Sequence, residues 1–293
     1  MHFLLLSSLA FFIRNICNKE YTKHFAAKES NLFFNAISLS ITCLISLAMG
    51  GAKRPSSLVL ILAAIFAVLF VATVYLLLIS YSKGPMGLVS LLFNFSMIIP
   101  ITVGFLLFKE PISWLKGLGL LCGLFVLLLS WRDGEAKNSK SVYIPAKIWL
   151  PVTLLTMVCN GGLSTIQNML VQWAPGADIM TFNFWAYLIG AGICWLMLLI
   201  FKLRGSKFDE IAAKPKAFLS TSTLCGLGSS AGNILNMFML TLIPSTVAYP
   251  LKNSLLTVAT YLVSILYYKE GRSKYGYLMV GIGIVSSVLL GIS

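Results

Sequence analysis

The feature that most narrows what this chain can become is a recurrence of apolar runs of about 20 residues, separated by short polar connections. Each run has the length needed to cross a roughly 30 Å hydrocarbon core. Lipid offers no water to a free amide or carbonyl, so a run of this kind must satisfy its backbone internally, as a helix. The alternating ten-residue segments of a membrane barrel have a different pattern. Composition excludes a soluble fold of the same size: 58% of residues are hydrophobic and 11% charged, where soluble domains carry about a quarter charged residues.

Ten spans are predicted, near 2–20, 31–49, 57–81, 86–108, 113–131, 148–172, 179–201, 217–242, 245–268 and 275–292. The longest polar connection, Arg132 to Lys147, divides them five and five, and no connection is long enough for a soluble catalytic domain. The reading is an all-α membrane protein with a first half over 1–131, a connecting loop over 132–147 and a second half over 148–293. The start of the chain lacks a basic leader and a small-residue cleavage site, so the first run is read as a retained span.

Charge points to topology, not to nucleic acid. Of the 22 Lys and Arg, sixteen lie at the connections after spans one, three, five, seven and nine. Four lie at the other connections, and Arg14 and Lys252 lie inside spans. The positive-inside rule then places both termini outside the cytoplasm. The six cysteines all fall in apolar runs without paired spacing and read as small core residues. With two histidines, no acid cluster and no GxxxxGK[ST] loop, the chain offers neither a metal site, a cofactor site nor direct ATP drive. An integral membrane enzyme is therefore not expected.

A shift of 160 residues superposes 84–131 on 244–291 without gaps. Phe108-Lys109-Glu110-Pro111 then falls on Tyr268-Lys269-Glu270-Gly271, and Gly123 meets an identical residue. An odd number of spans per repeat makes the second half enter the membrane from the opposite side. Two such halves are related by a pseudo-two-fold axis in the membrane plane, the arrangement of inverted-repeat transporters.

In its length, its five-plus-five spans and the aromatic-Lys-Glu ending of the fourth and ninth spans, the chain resembles the EamA-like branch of the drug/metabolite transporter superfamily. The resemblance covers nearly the whole chain. It implies export or exchange of small metabolites or amphipathic drugs, and termini inside the cytoplasm, against the charge count. The first span departs from the family's frequent Trp-Gly pair and reads Phe11-Phe12-Ile13-Arg14-Asn15.

Several features bear on transport. Gly119 to Gly123 and Gly228 to Gly232 are small-xxx-small motifs that admit close helix packing. Pro100 and Pro250 interrupt the fourth and ninth spans and are candidate gating kinks. Lys109, Glu110, Lys269 and Glu270 mark the repeat. Asn160, Ser164, Gln167 and Asn168 line one face of the sixth span, Thr246, Tyr249, Asn253, Thr257 and Thr260 one face of the ninth. Asn233 and Asn236 are a turn apart on the eighth, and Asn15 and Asn18 nearly so on the first. Polar stripes of this kind must avoid lipid. They form either interhelical hydrogen bonds or a hydrated cavity, with Phe95, Trp185 and Tyr187 as candidate aromatic lining.

Arg14 and Lys252 have no mid-membrane acid to neutralise them. With Asn15, Asn18, Tyr249 and Asn253 they are the candidate binding site for an anionic or zwitterionic metabolite. The alternative for both cations is snorkelling to the interface. The function expected is secondary active transport by alternating access. The other readings are an exporter of amphipathic drugs or a lipid flippase, and a non-transporting membrane protein. The expected partners are a small-molecule substrate and the bilayer of a bacterial cytoplasmic membrane, with the monomer as the working unit.

Overall fold

The computed structural model describes residues 2–108, 114–115, 117–119, 121–122, 125, 146–174, 176–206, 209–243, 245–269 and 274–292. Every regular element among them is helical. The first half holds α1 (His2–Thr22), α2 (Lys28–Ala48), α3 (Ser57–Lys83), α4 (Met86–Asn94), a 3-10 turn (Phe95–Met97) and α5 (Ile98–Phe108). The second holds α6 (Ala146–Trp173), α7 (Ile179–Leu203), α8 (Asp209–Ala213), α9 (Pro215–Leu242), α10 (Ser245–Leu266) and α11 (Lys274–Ile292). Lys109, Glu110, Glu270, Gly123 and nearly all of the 132–147 connection lie outside the described residues.

Local chemistry sets the helix limits. The Ser56 hydroxyl accepts from the Val59 amide and opens α3, and the Asp178 carboxylate accepts from the Met180 amide and opens α7. Pro215 opens α9 at a position whose amide has no helical partner in any case. Pro100 has no N–H for the carbonyl of Ser96, and its ring crowds that carbonyl. The helix tightens into the 3-10 turn at Phe95–Met97, directly before it. Pro250 is carried inside α10.

Among the described residues, five helical stretches are long and apolar enough to cross a membrane: Lys28–Ala48, Ser57–Lys83, Met86–Leu107, Lys147–Trp173 and Ile179–Leu203. The protein is thus an all-α membrane protein. Helices α1, α9 and α10 are diluted by buried polar residues, among them Arg14, Asn15 and Asn18, Asn233 and Asn236, and Lys252 and Asn253.

The helices pack in matched sets. α1 lies on α9 and α3 on α6; α2 lies on α7 and α4 on α10. Further contacts join α2 to α9 and α3 to α7, and α1 to α10 and α4 to α6. Lipid is as apolar as leucine, so close backbone approach and polar contacts must drive this packing. The α1–α9 seam shows how. A Cβ on Gly228 would lie 3.0 Å from the Ala10 carbonyl, and one on Gly232 2.8 Å from the Phe11 ring.

The helix ends gather in two sets. At one face Lys19 Nζ donates to the carbonyls of Tyr81 (3.0 Å) and Gly84 (3.2 Å), and the Tyr268 hydroxyl donates to Glu20 (2.8 Å). There too Glu210 accepts from the Ala27 amide and the Ser30 hydroxyl. At the other face Lys53 pairs with Asp178 at 2.6 Å, and the Trp185 indole donates to the Lys53 carbonyl. Lys53's ammonium holds the Asp178 carboxyl below the usual aspartate range. Two apolar clusters fill the interior. One, around Phe34, Phe66, Phe182 and Tyr187, joins α2, α3 and α7. The other, around Met86, Leu92, Trp149 and Met239, joins α4, α6 and α9. A polar cavity lies beside both.

Candidate functional site

The cavity is lined from six of the helices. α1 supplies Phe11, Arg14 and Asn15; α3 supplies Phe70, Thr73, Val74 and Leu77. The broken α4–α5 segment adds Phe93, Asn94 and Ser96, and α6 adds Asn160, Leu163, Ser164 and Gln167. Asn233 and Asn236 come from α9, and Tyr249, Lys252, Asn253 and Leu256 from α10. The space open to water is about 40 Å³, enough for a few molecules at roughly 10–15 Å³ each. A metabolite enters this cavity only if the helices part.

Two cations define the site. Lys252 lies roughly 10 Å along α10 from its start, and Arg14 roughly 12 Å along α1 from its end, by helix rise. Those two helix ends belong to opposite faces. Both side chains turn inward and meet one ring. The Arg14 guanidinium carbon is 4.7 Å, and the Lys252 ammonium 4.9 Å, from the centre of the Phe11 ring. Arg14 also lies 5.8 Å from the Phe93 ring centre, and Lys252 4.9 Å from that of Tyr249. Arg14 and Lys252 are 7% and 6% exposed, so neither snorkels to the interface. No Asp or Glu is among the described lining residues.

The carboxamides form a directed relay. Lys252 Nζ donates to Asn236 Oδ1 at 2.7 Å, and Asn236 Nδ2 donates to Gln167 Oε1 at 2.9 Å. Gln167 Nε2 donates to Asn233 Oδ1 at 3.2 Å, and Asn233 Nδ2 donates to the Ser229 carbonyl at 2.9 Å. An ammonium only donates and a carbonyl only accepts, so the two ends force every amide between them into one orientation. A second set closes the other wall. Asn253 Nδ2 donates to the Asn94 carbonyl (2.8 Å), Asn94 Nδ2 to the Thr257 hydroxyl (2.9 Å), and Asn160 Nδ2 to the Ser96 hydroxyl (2.6 Å). The Tyr249 hydroxyl donates to the Ser164 carbonyl at 3.0 Å. The helix break before Pro100 thus turns the backbone and side chains of Asn94 and Ser96 into partners for the second half.

Of the residues singled out in the sequence, Arg14, Asn15, Asn160, Gln167, Asn233, Asn236, Tyr249, Lys252 and Asn253 come together around this cavity. Asn18 and Asn168 lie off it: Asn18 Oδ1 accepts from the Cys225 thiol at 3.2 Å, and Asn168 Nδ2 donates to Ser245 at 3.1 Å. The three candidate aromatics also lie elsewhere. Tyr187 packs edge-on against Phe66 and Phe70, Trp185 sits at a membrane face, and Phe95 is buried beside Gly283. Sequence reasoning did not find the α3 wall, Phe11, Phe93 or Asn94. α3 is apolar on all sides and shows no stripe. Asn94 carried a signal in its position six residues before Pro100. Among the described residues no three His, Cys, Asp or Glu gather as a metal site.

No known family profile and no curated protein matches the chain.

Proposed function

We propose that the chain is a secondary transporter of ten spans in two inverted five-helix halves, related to the EamA-like transporters. It moves a small organic anion or zwitterion across a bacterial cytoplasmic membrane by alternating access. The observation that carries this reading is the cavity between the helices, in which two buried cations and a ring of carboxamides converge with no carboxylate among the described lining residues. Charge buried at that depth costs about 2.5–3.5 kcal/mol per residue on insertion scales. A scaffold has no reason to carry that cost twice in one place.

Two further observations support it. Exchange the halves, first span for sixth, second for seventh and so on, and the major helix contacts between them map onto one another: α1–α9 onto α6–α3, α2–α9 onto α7–α3, α1–α10 onto α6–α4. The α2–α7 and α4–α10 contacts map onto themselves. The interrupted α4–α5 segment also packs against α10, which carries Pro250 within it, and discontinuous helices line the sites of transporters built from two repeats.

The test is flux in proteoliposomes holding the purified chain, screened with pooled labelled metabolites grouped by charge. Anions or zwitterions cross faster than in protein-free vesicles, and Arg14→Gln abolishes the gain. A best substrate that is a permanent cation, or flux indifferent to Arg14→Gln, overturns the reading.

A further inference from the structure

The two cations are not equivalent. Lys252 is tied to Asn236 and heads the relay. Arg14 makes no hydrogen bond to any described residue, and its Nε is fully buried without a partner. The groups around it share that condition. Asn15 is 1% exposed, and neither its amide nitrogen nor its oxygen is bonded. Asn18, one helical turn from Arg14, has an unpartnered Nδ2. Both asparagines are buried.

Unpartnered buried polar groups are costly, and clustered ones call for an explanation. Donors dominate this set: the guanidinium and two carboxamide NH₂ groups. Only an acceptor-rich group answers them, and the chemistry that suits a guanidinium fork is a planar or tetrahedral oxyanion.

We propose that the cations divide the work. Arg14 and Asn15 form an oxyanion-binding lobe of the cavity. Lys252 is a positioning residue that holds the carboxamide relay in one direction. This rests on the cavity being the substrate site, and it narrows the substrate class to a carboxylate or phosphate on a body without an ammonium group. Each relay amide spends its oxygen and one N–H on its neighbours, so what Asn236 and Gln167 have left to offer is chiefly a second N–H. Such a wall reads hydroxyl and carbonyl oxygens. No carboxylate among the described lining residues is there to receive an ammonium, and Lys252 repels one.

The test follows the unfolding temperature of purified protein in detergent, without added ligand and then with acetate, glycine or inorganic phosphate against chloride of equal ionic strength. Without ligand, Arg14→Met raises the unfolding temperature, because it removes an unpaired buried cation. Lys252→Met lowers it, because it strips Asn236 of its donor, while Lys252→Arg stays at the parent's value. Acetate or phosphate raises the parent by roughly 2–4 °C near saturation, and glycine, which carries the same carboxylate beside an ammonium, does not. Arg14→Met loses the response, and Lys252→Arg keeps it.

If Arg14→Met is less stable than the parent, or still responds to acetate or phosphate, the lobe is wrong. Loss of the response in Lys252→Arg equal to that in Arg14→Met overturns the division of work. Equal protection by glycine and acetate overturns the exclusion of zwitterions. A parent indifferent to both anions overturns the lobe altogether, while flux in proteoliposomes separately decides whether the chain transports at all.

Discussion

Gly232→Ala is the smallest change that reaches the centre of the site. An alanine Cβ there would lie 2.8, 2.9 and 3.0 Å from three carbons of the Phe11 ring. Carbon atoms settle near 3.5–4.0 Å, so the ring must retreat by roughly 0.5–1 Å. Phe11 is 7% exposed and has little room to do so. Overpacking of this kind costs about 1–3 kcal/mol. The ring also lies against both cations, and displacing it weakens contacts worth about 0.5–2 kcal/mol each. Against this, alanine is favoured over glycine inside a helix by about 0.5–1 kcal/mol. The clash wins, for a net loss of about 1–3 kcal/mol. Gly192→Ala on α7 isolates the effect, because a Cβ there meets nothing within 4 Å. Equilibrium unfolding in mixed detergent micelles compares the two. Gly192→Ala is neutral or stabilising, Gly232→Ala destabilises, and adding Phe11→Leu restores most of the loss, with a coupling above about 0.5 kcal/mol. Equal stability of the two alanine variants would refute the seating of Phe11 on Gly232.

Breaking the relay at Asn236 separates stability from charge. Asn236→Leu removes the acceptor of Lys252 and the donor to Gln167 and costs about 2–4 kcal/mol in the same unfolding assay, most of it from the bond to the charged group. Asn236→Asp keeps a partner for Lys252 but adds a negative charge, so it unfolds near the parent and loses anion-stimulated flux. The Lys53–Asp178 pair stabilises the protein above the ordinary aspartate value near about 3.9. Because the folded carboxyl titrates lower, that contribution is lost as pH falls through the lowered value. Asp178→Asn flattens the acid limb of stability against pH, by a small amount because the pair is partly exposed. Orientation is decided by a single cysteine at position 139 in a chain without its native cysteines. Sixteen basic residues on that side predict protection from an impermeant thiol reagent in intact cells, and ready labelling refutes it.

The helices were legible wherever apolar length alone decides. The described ends of α3, α6, α7, α9 and α10 fall within a few residues of the predicted limits, because charged or capping residues such as Lys83, Asp178 and Pro215 mark them. The site was legible where polar residues repeat at helical spacing on an apolar background, as Asn160 and Gln167 do. Spacing cannot tell which side of a polar stripe faces the cavity. Asn168, next to Gln167, turns to Ser245 instead. Nor does sequence show what an apolar helix contributes. Phe70 and Leu77 become cavity wall only because α3 packs across α6 and α7.

How the site is divided between the proposed halves bears on how it works. Lys252, Asn236, Gln167, Asn233 and Ser229 all belong to α10, α9 and α6, so the whole relay lies within the proposed second half. Arg14, Asn15 and Asn18 belong to the first half. In the proposed cycle, rocking one half against the other changes the distance from the oxyanion lobe to the relay, and a substrate held by both spans the moving boundary. Beside the cavity the direct bonds across that boundary are neutral, Asn253 to Asn94, Asn94 to Thr257 and Asn160 to Ser96, while the charged ones, such as Lys53 to Asp178 and Tyr268 to Glu20, lie at the membrane faces. Contacts of this kind average about 0.6 kcal/mol in a membrane protein, weak enough for thermal motion to break singly. Asn253→Val removes the first and leaves the Asn94 carbonyl, freed by the Pro100 break, without its donor. The closed arrangement then loses about 1–3 kcal/mol, and amide hydrogen exchange around Arg14 and Asn253 quickens without a change at the relay. Uniform acceleration across both halves would mean that the bond supports the fold as a whole, and exchange at the parent rate would mean that it does not hold the halves together.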